Sequence, residues 1–414
     1  MRILLVTQYF WPEYFIINDL VKSLANQGHT ISILTGKPNY PDGKIMEGYQ
    51  QSGCQTEEFI SGVRIFRAPL RPRGGGDAKS LALNYLSFVW NGVRFFPRAV
   101  KDGQFDVILV FCLSPITSVI PAIFLKWRLK KHLAVWIQDL WPESLSATGF
   151  VRSPLLLKII GYMVEGIYRA ADTLLVQSRA FYNPVSRYTS IDKIVYYPNS
   201  HRDTLAEPPG SLLDGELLQL LSQFFCVVFA GNLGTAQSVE TIIEAARKLQ
   251  HLAGCKLVLV GSGSMLGWVH KQRDEGKLDN VVLPGRYPPS QMTQFFSRAG
   301  ALLVTLKRNP IFSYTVPSKI QAYLAAGRPI IASLDGEGAR VIEEAGAGLT
   351  CPAEDASALA AAIETLYKMS PSERERLGHA GREYFLANFE MDMQASRLVD
   401  ILEERLKPSN GITT

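Results

Sequence analysis

The sequence predicts an α/β protein built on two doubly wound parallel sheets, and three observations lead to this prediction. Short runs of branched apolar residues alternate with helix-length segments almost from end to end, as in βαβ units joined by crossover helices. The alternation starts again after residues 197–200. The charge changes sign at the same place, since residues 1–200 carry a net charge of +8 and residues 201–414 one of −3. A chain of 414 residues is long enough for two such domains.

The first domain is assigned to residues 1–200, and residues 385–414 are expected to return to it as a C-terminal helix. The apolar N-terminal run could pass for a signal peptide, but it ends at Thr7-Gln8, too early for one, and therefore predicts a buried strand. A helix is predicted over Ile17–Gln27. The predicted strands of this domain are Ile3–Thr7, Ile31–Thr35, Asp106–Cys112, Leu133–Gln138 and Thr173–Gln177.

One segment of this domain has an alternative interpretation as a membrane span. Val107–Leu125 contains no charged residue and is followed by a basic cluster, as at the end of a transmembrane helix. However, Pro115 and Pro121 interrupt the segment, and its first part resembles a strand of a parallel sheet. We therefore favour a strand followed by a helix that begins at or soon after Pro115.

The second domain is assigned to residues 201–384. Helices are predicted at Ser238–Gln250, near Ser290–Arg298 and at Ile320–Ala326. The predicted strands are Phe225–Ala230, Lys256–Val260, Val281–Leu283, Ala301–Thr305 and Ile330–Ser333. Together the two domains would form Rossmann-like halves facing a cleft. Ligands of such sheets bind beyond the carboxyl ends of the strands, so the loops that follow the strands are the candidate sites.

Cysteine and histidine usage argues against disulfides and against a metal. The five cysteines are an odd number without a C-x-x-C pair, which favours reduced thiols in the cytoplasm. The histidines lack metal-ligand spacing, and no D-x-D is present. We therefore expect no metal and no cofactor.

Two glycine-containing turns of the second domain follow predicted strands. Gly231-Asn232-Leu233-Gly234 precedes a helix, where backbone N–H groups could receive a phosphate. Val260-Gly261-Ser262-Gly263 is similar to a dinucleotide fingerprint but lacks its third glycine and its acidic residue, which argues against NAD.

Lys319 is expected in the first turn of a helix that Pro317 and Ser318 introduce and Gly327 ends. A cation is unfavourable there because the helix dipole is positive at that end. An anion between the lysine and the helix would explain the placement, although a solvated lysine remains the alternative. Residues 335–340, with Glu337 and Gly338, repeat this pattern at the next strand-to-helix turn.

In the first domain, Trp136 to Ser144 follows a predicted strand and contains Asp139, Glu143 and two tryptophans. Paired acids and aromatic faces suit carbohydrate chemistry, whereas the alternative is a loop whose tryptophans fill the core. Glu13 lies in the first loop of the same domain. Residues 80–101 form an aromatic and basic helix, interpreted either as core packing or as a helix lying on anionic lipid.

These segments together resemble glycosyltransferase family 4, the retaining nucleotide-sugar-dependent enzymes of the GT-B fold. The combination is similar to a bacterial branch that builds O-antigen and capsule, including fucosamine-type transferases. The motifs that carry the resemblance are Gln8–Glu13, Gly28-His29, Leu34–Pro41, Gln138–Ser144, Gly231–Gly234, Leu283–Arg286, Pro317–Lys319 and Gly327–Pro329.

The resemblance implies a site in each domain. The nucleotide base would lie at Arg286 and Tyr287, and the diphosphate would meet Gly231–Gly234, Ser318 and Lys319. Pro317, Glu337 and Gly338 would complete the donor site, and pocket shape near Thr315–Ser318 and Glu337 would govern the choice of donor. The acceptor would lie near Asp139 and Glu13, which are the candidate catalytic residues together with Lys319.

The sequence departs from the family at several site positions. The glutamates of the E-x(7)-E pair are replaced by Tyr314 and Ala322, and the basic pair of the glycine turn by Asn232 and Gln237. The usual histidine before Asp139 is Gln138, and the glycine pair of the first loop falls on Phe15 and Ile16.

From these observations we expect a retaining glycosyltransferase that moves a sugar, of the N-acetylated or deoxy amino type, from a UDP-sugar to a polyprenyl-diphosphate-linked glycan. It would act as a peripheral protein on the anionic inner face of the cytoplasmic membrane. A UDP-sugar 2-epimerase of the same fold and a non-catalytic sugar- or lipid-binding protein are the alternatives. Nucleic acid is not expected as a partner, because no binding motif accompanies the basic charge.

Overall fold

The computed structural model describes residues 1–75, 77–101, 103–203, 205 and 211–407. It divides into two compact units. Unit 1 contains Met1–Ser200 and the segment that begins at Met391, and unit 2 contains His201–Glu390. Each unit is a sheet covered by helices on both faces, and the prediction of two doubly wound α/β domains is confirmed.

Unit 1 is built on a sheet with the strand order β3-β4-β2-β1-β5-β6-β7-β8, as far as the described residues show. All neighbouring strands are parallel except β3, which pairs antiparallel with β4. This β3–β4 hairpin was not predicted. The strands are β1 Arg2–Val6, β2 Thr30–Gly36, β3 Gln55–Ile60, β4 Val63–Ala68, β5 Val107–Cys112, β6 His132–Ile137, β7 Thr173–Val176 and β8 Ile194–Tyr196.

The helices of unit 1 cover the two faces of this sheet. They are α1 Ile16–Asn26, α2 Ala78–Ala99, α3 Ile120–Leu129, α4 Glu143–Ala147, α5 Pro154–Ala170, α6 Tyr182–Ser186 and the last helix, Met391–Leu406. Parallel crossovers are right-handed, so the direction in which a connection moves along the sheet decides the face of its helix. The connections through α2, α3 and α5 all move from β4 towards β7, and α1 moves the opposite way. Therefore α2, α3 and α5 share one face, and α1 lies on the other.

The segment Val107–Leu125, which the sequence left open as a possible membrane span, forms a strand and then a helix. β5 is fully buried between β1 and β6, and a 3₁₀ turn at Ile116–Val119 leads into α3. Across the ranges that the structure describes, no helix combines the length and the apolar character that a membrane crossing requires.

The last helix of the chain completes the core of unit 1. Its buried residues, including Leu398 and Leu402, pack with the apolar face of α1. The Tyr197 hydroxyl donates a hydrogen bond to the Gln394 carbonyl at 2.9 Å. The return begins at Met391 and not at residue 385, because Phe385 and Phe389 are buried in unit 2. Residues 408–414 of the predicted return lie outside the described residues.

Unit 2 has a parallel sheet with the strand order β11-β10-β9-β12-β13-β14, in which β14 was not predicted. The strands are β9 Phe225–Asn232, β10 Cys255–Ser262, β11 Val281–Gly285, β12 Ala301–Thr305, β13 Ile330–Ser333 and β14 Gly348–Cys351. The helices are α7 Gly215–Gln223, α8 Val239–Lys248, α9 Leu266–Glu275, α10 Met292–Arg298, α11 Pro310–Ser313, α12 Ser318–Ala325, α13 Glu337–Glu344, α14 Ala356–Lys368 and α15 Pro371–Asn388; the last helix of unit 1 is α16.

Candidate active site

Lys319 lies at the carboxyl end of β9 in unit 2. Its Nζ is 3.7 Å from the centroid of the Phe229 ring, which belongs to β9. The same Nζ donates a hydrogen bond of 3.1 Å to Oε1 of Gln237, in the turn that follows the strand. The ammonium group, carried on the first turn of α12, is therefore held between β9 and the turn that follows β9.

The electrostatics of Lys319 favour an anionic ligand. Burial lowers the pKa of its amine to about 7, because desolvation disfavours the charged form. Within the described part of the chain, no carboxylate lies within ion-pair distance of this amine. A phosphate would supply the missing charge. The Lys319 side chain remains partly exposed, and its ammonium group contacts Phe229 and Gln237.

Close approach of backbone explains the glycines of this region. Gly231 has a φ of +133°, and a Cβ there would lie 2.9 Å from Lys319 Cε. A Cβ on Gly261 would lie 1.9 Å from the Gly231 carbonyl oxygen, so the ends of β9 and β10 require glycine at both positions. The second glycine turn thus packs against the first.

The remainder of the first glycine turn is divided between surface and core. β9 continues through Gly231 and Asn232, which are exposed, and Leu233 is fully buried. A Cβ on Gly234 would lie 2.6 Å from the Asn232 side-chain nitrogen. A 3₁₀ turn then precedes α8.

The structure brings some other candidate residues close to Lys319 and leaves others further along the sheet edge. A Cβ on Gly338 would lie 3.2 Å from Pro317, so α13 and α12 begin side by side. Glu337 is buried and forms two hydrogen bonds with the Arg340 guanidinium, at 2.9 and 3.1 Å. Ser318 is exposed beside Lys319.

Arg286 and Tyr287 follow β11, which is separated from β9 by β10. Arg286 is exposed, and the ring of Tyr287 packs edge-on against Phe295 with 5.0 Å between centroids.

Neutral side chains occupy the positions where the resemblance expects charged ones. Gln237 accepts a hydrogen bond from Lys319, whereas a positively charged side chain at position 237 would repel the Lys319 ammonium group. Ala322 packs against the core, and Tyr314 ends α11. Sequence reasoning missed Tyr323, whose buried hydroxyl accepts a hydrogen bond from the Ala230 N–H at 3.1 Å and so ties α12 to β9. An aromatic residue on a helix gives no sequence signal for such a role.

Asp139 follows β6 in unit 1 and is held from the neighbouring strand. Its Oδ2 accepts a 2.7 Å hydrogen bond from Ser114 Oγ, beyond the end of β5. The Trp141 indole N–H donates to the same Ser114 oxygen at 3.0 Å. The carboxylate is therefore fixed in orientation and remains partly exposed.

The two tryptophans of this segment, one in β6 and one in the loop after it, are buried, as the alternative interpretation held. Trp136 is fully buried and donates to the Tyr197 carbonyl at 3.1 Å, and Trp141 is buried beside Ser114. Neither presents an open face for sugar stacking. Gln138, between them, is buried, and its Nε2 has no hydrogen-bond partner among the described residues.

Glu13 joins two loops at the carboxyl edge of the unit 1 sheet. Its Oε1 accepts from the N–H groups of Asn39 and Tyr40, both at 2.8 Å, and its Oε2 from that of Phe10 at 3.1 Å. Burial raises the pKa of this carboxyl to about 7, and the three N–H donors oppose the rise. With this set of partners, Glu13 holds the loops after β1 and β2 together.

Arg73 was not among the predicted site residues, yet it lies in this same region. Its guanidinium lies over the rings of Tyr9 and Tyr40, at 5.8 and 5.2 Å from the centroids. Its backbone N–H donates to Asn39 Oδ1 at 3.1 Å. No carboxylate pairs with its guanidinium in the residues that are described. Two arginines, Arg71 and Arg73, directly before a run of glycines are the signal that could have pointed to this loop.

Groups of three or more histidine, cysteine or acidic side chains that could hold a metal ion do not occur among the described residues.

Comparison with known proteins assigns both halves of the chain to glycosyltransferases. Residues 16–200 match the family described as "Glycosyl transferase 4-like domain", and residues 219–384 match "Glycosyl transferases group 1". The chain therefore consists of two glycosyltransferase domains, and its fold is GT-B.

Individual relatives cover most of the chain at low identity. WbjE of Pseudomonas aeruginosa, named as a glycosyltransferase, is 25% identical over 389 residues, which cover 91% of this chain and 94% of WbjE. WcaI of Escherichia coli K12, named as a colanic acid biosynthesis glycosyl transferase, is 22% identical over 79% of this chain and 82% of WcaI. The structure of Anabaena HepE in complex with UDP is similar, with a TM-score of 0.70 and 14% identity, over 98% of this chain and all of that one.

Proposed function

We propose that the protein is a retaining glycosyltransferase that moves a sugar from a UDP-sugar to a lipid-linked glycan during the synthesis of a bacterial surface polysaccharide. The observation that carries the proposal is Lys319, a buried ammonium without a carboxylate partner in the described residues, directly above Gly231. Such a group is suited to the diphosphate of a nucleotide-sugar. The names of the relatives support the polysaccharide context.

Donor binding is proposed for unit 2. The diphosphate lies at Gly231–Gly234 and at the start of α12, where backbone N–H groups and Lys319 stabilise the charge. Arg286 and Tyr287 contact the base. The choice of uridine is supported by the complex of HepE with UDP.

Acceptor binding is proposed for unit 1. Asp139 orients the acceptor hydroxyl, since Ser114 and Trp141 fix its carboxylate. Arg73 pairs with the diphosphate that links the glycan to its lipid. Glu13 maintains the loops that carry these groups and acts as a positioning residue.

The reaction breaks the bond between the sugar anomeric carbon and the phosphate oxygen, and a bond from the acceptor oxygen forms on the same face. The departing phosphate oxygen takes the proton of the acceptor hydroxyl, so no separate base is needed. Lys319 stabilises the negative charge that develops on the diphosphate, and this electrostatic contribution is the main catalytic effect that we assign.

The test is an assay of UDP release from a panel of UDP-sugars, including N-acetylated and deoxy amino sugars, with and without a polyprenyl diphosphate-linked saccharide. We expect release that depends on the acceptor and a product that retains the anomeric configuration. Lys319→Ala is expected to lose most turnover while the fold persists. Isomerisation of a UDP-sugar without acceptor would instead indicate a 2-epimerase, and UDP-sugar binding without any turnover a non-catalytic protein.

A further inference from the structure

The helices α2, α3 and α5 lie side by side on one face of the unit 1 sheet. The contacts between them are direct: a Cβ on Gly92 of α2 would lie 2.7 Å from Pro121 of α3, and Lys126 Nζ of α3 donates to the Ala170 carbonyl of α5 at 2.8 Å. Their outward sides therefore form one continuous surface, which we call the α2–α3–α5 face.

This face exposes seven large apolar side chains, three of them in the first two turns of α5. Only Val164, Ile167 and Tyr168 of α5 are buried, so its first two turns protrude from the unit. Leu155 is 70% exposed and Ile159 55%. The other large exposed apolar residues of the face are Leu86, Trp90, Trp127, Leu156 and Tyr162.

The same three helices are strongly basic. They contain seven lysines and arginines and one acidic residue, Glu165, which is paired with Arg169 at 2.7 Å. Five of the basic side chains are exposed without such a pair in the described residues, namely Lys79, Arg94, Arg98, Arg128 and Lys158. Exposed leucine, isoleucine and tryptophan among cations are typical of surfaces that insert shallowly into anionic lipid.

We propose that the α2–α3–α5 face docks on an anionic lipid bilayer, with the first turns of α5 inserted among the acyl chains near the headgroups. The inference rests on the proposed function and deepens it, because it names the surface and adds an apolar contribution to the electrostatic one. A second copy of the chain is a poor occupant, since a symmetric dimer would oppose two basic surfaces.

The position of α5 links this face to the acceptor site. A crossover helix begins at the carboxyl edge of the sheet, and α5 follows the β6 loop that contains Asp139. Insertion of Leu155 and Ile159 would keep that edge next to the headgroups, where the diphosphate of a lipid-linked acceptor lies. The aromatic helix α2 contributes Trp90 to the face and keeps Phe88 and Phe96 in the core. Core packing therefore describes one side of this helix, and the proposal concerns its other side.

The experiment compares two matched double variants in vesicle sedimentation. Leu155→Ser with Ile159→Ser alters the face, and Ile191→Ser with Leu212→Ser removes two equally exposed apolar residues elsewhere, 64% and 73% exposed. With vesicles of phosphatidylglycerol and phosphatidylcholine, we expect the face variant to bind at least tenfold more weakly than wild type and the control within twofold. Arg94→Glu with Arg128→Glu should remove the salt-sensitive part of the binding.

Three readouts separate the possible outcomes. Unchanged vesicle binding by the face variant, or no binding by the wild type, would overturn the proposal. The proposal would also be overturned if light scattering showed that the wild type is a dimer and the face variant a monomer. UDP-induced thermal stabilisation and transfer to a short-chain acceptor in detergent should survive in the face variant. If the wild type binds vesicles through this face but transfers no sugar, the proposed function fails and the docking surface stands.

Discussion

Replacing Lys319 by methionine is expected to stabilise the ligand-free protein and to abolish its response to UDP. The buried ammonium is costly without an anion, because its pKa falls from 10.5 to about 7. Methionine is similar in length, keeps the contact with Phe229 and carries no charge. The same substitution removes the cation that we assign to the diphosphate.

The size of the expected stabilisation follows from the pKa of Lys319. A decrease from 10.5 to about 7 corresponds to about 5 kcal/mol for the fully protonated amine. The cation–π contact with Phe229 offsets about 1–2 kcal/mol of this cost, and the hydrogen bond to Gln237 about 1 kcal/mol. We therefore expect a net stabilisation of about 2 kcal/mol, or about 4–8 °C in Tm for a unit of this size. The gain should be full below pH 7 and disappear between pH 7 and 10.5, where the unfolded chain binds the extra proton.

Differential scanning calorimetry with and without UDP tests this prediction. At 100 times its Kd, UDP should stabilise the wild type by about 2.7 kcal/mol and the variant not at all. Lys307→Met is the matched control, because Lys307 already has a carboxylate partner, Glu240, at 3.1 Å. A lower Tm for ligand-free Lys319→Met, or a UDP response like that of the wild type, would refute the reasoning.

Further predictions concern both sites. Gly231→Ala should displace Lys319, because the new Cβ would lie 2.9 Å from its Cε, and calorimetric titration should give at least tenfold weaker UDP binding; unchanged affinity would contradict this. In the wild type, UDP affinity should fall as the pH rises above about 7, because the neutral amine must take up a proton, and a flat profile would exclude Lys319 as the phosphate ligand. Asp139→Asn should lower transfer about 100-fold through misorientation of the acceptor while the UDP response persists. Arg73→Gln should raise the KM for the diphosphate acceptor about tenfold, whereas Arg71→Gln should not.

Most sheet strands, and the position of Lys319 in the first turn of a helix, could be predicted from sequence because each leaves a local signal. Continuous branched apolar runs such as Val107–Cys112 are typical of strands buried on both faces, and a lysine in the first turn of α12 conflicts with the helix dipole. The β3 strand could not be predicted, because its half-exposed, partly acidic sequence owes its pairing to β4.

Tertiary contacts decided the remaining features. Whether Trp136 faces solvent or core depends on Tyr197, about sixty positions later. Gln237 and Tyr323 acquire their roles from Lys319 and Ala230, which are distant in sequence. The boundary of the return at Met391 likewise depends on which core receives Phe385 and Phe389.

The packing of α16 on α1 has a consequence for biosynthesis. Unit 2 lies between the two parts of unit 1 in the chain, so a ribosome makes about 190 residues after Ser200 before it reaches Met391. During that interval the apolar face of α1, with Leu20 and Leu24, lacks the helix that covers it. The nascent N-terminal sheet is thus open to aggregation or chaperone binding until unit 2 has been synthesised.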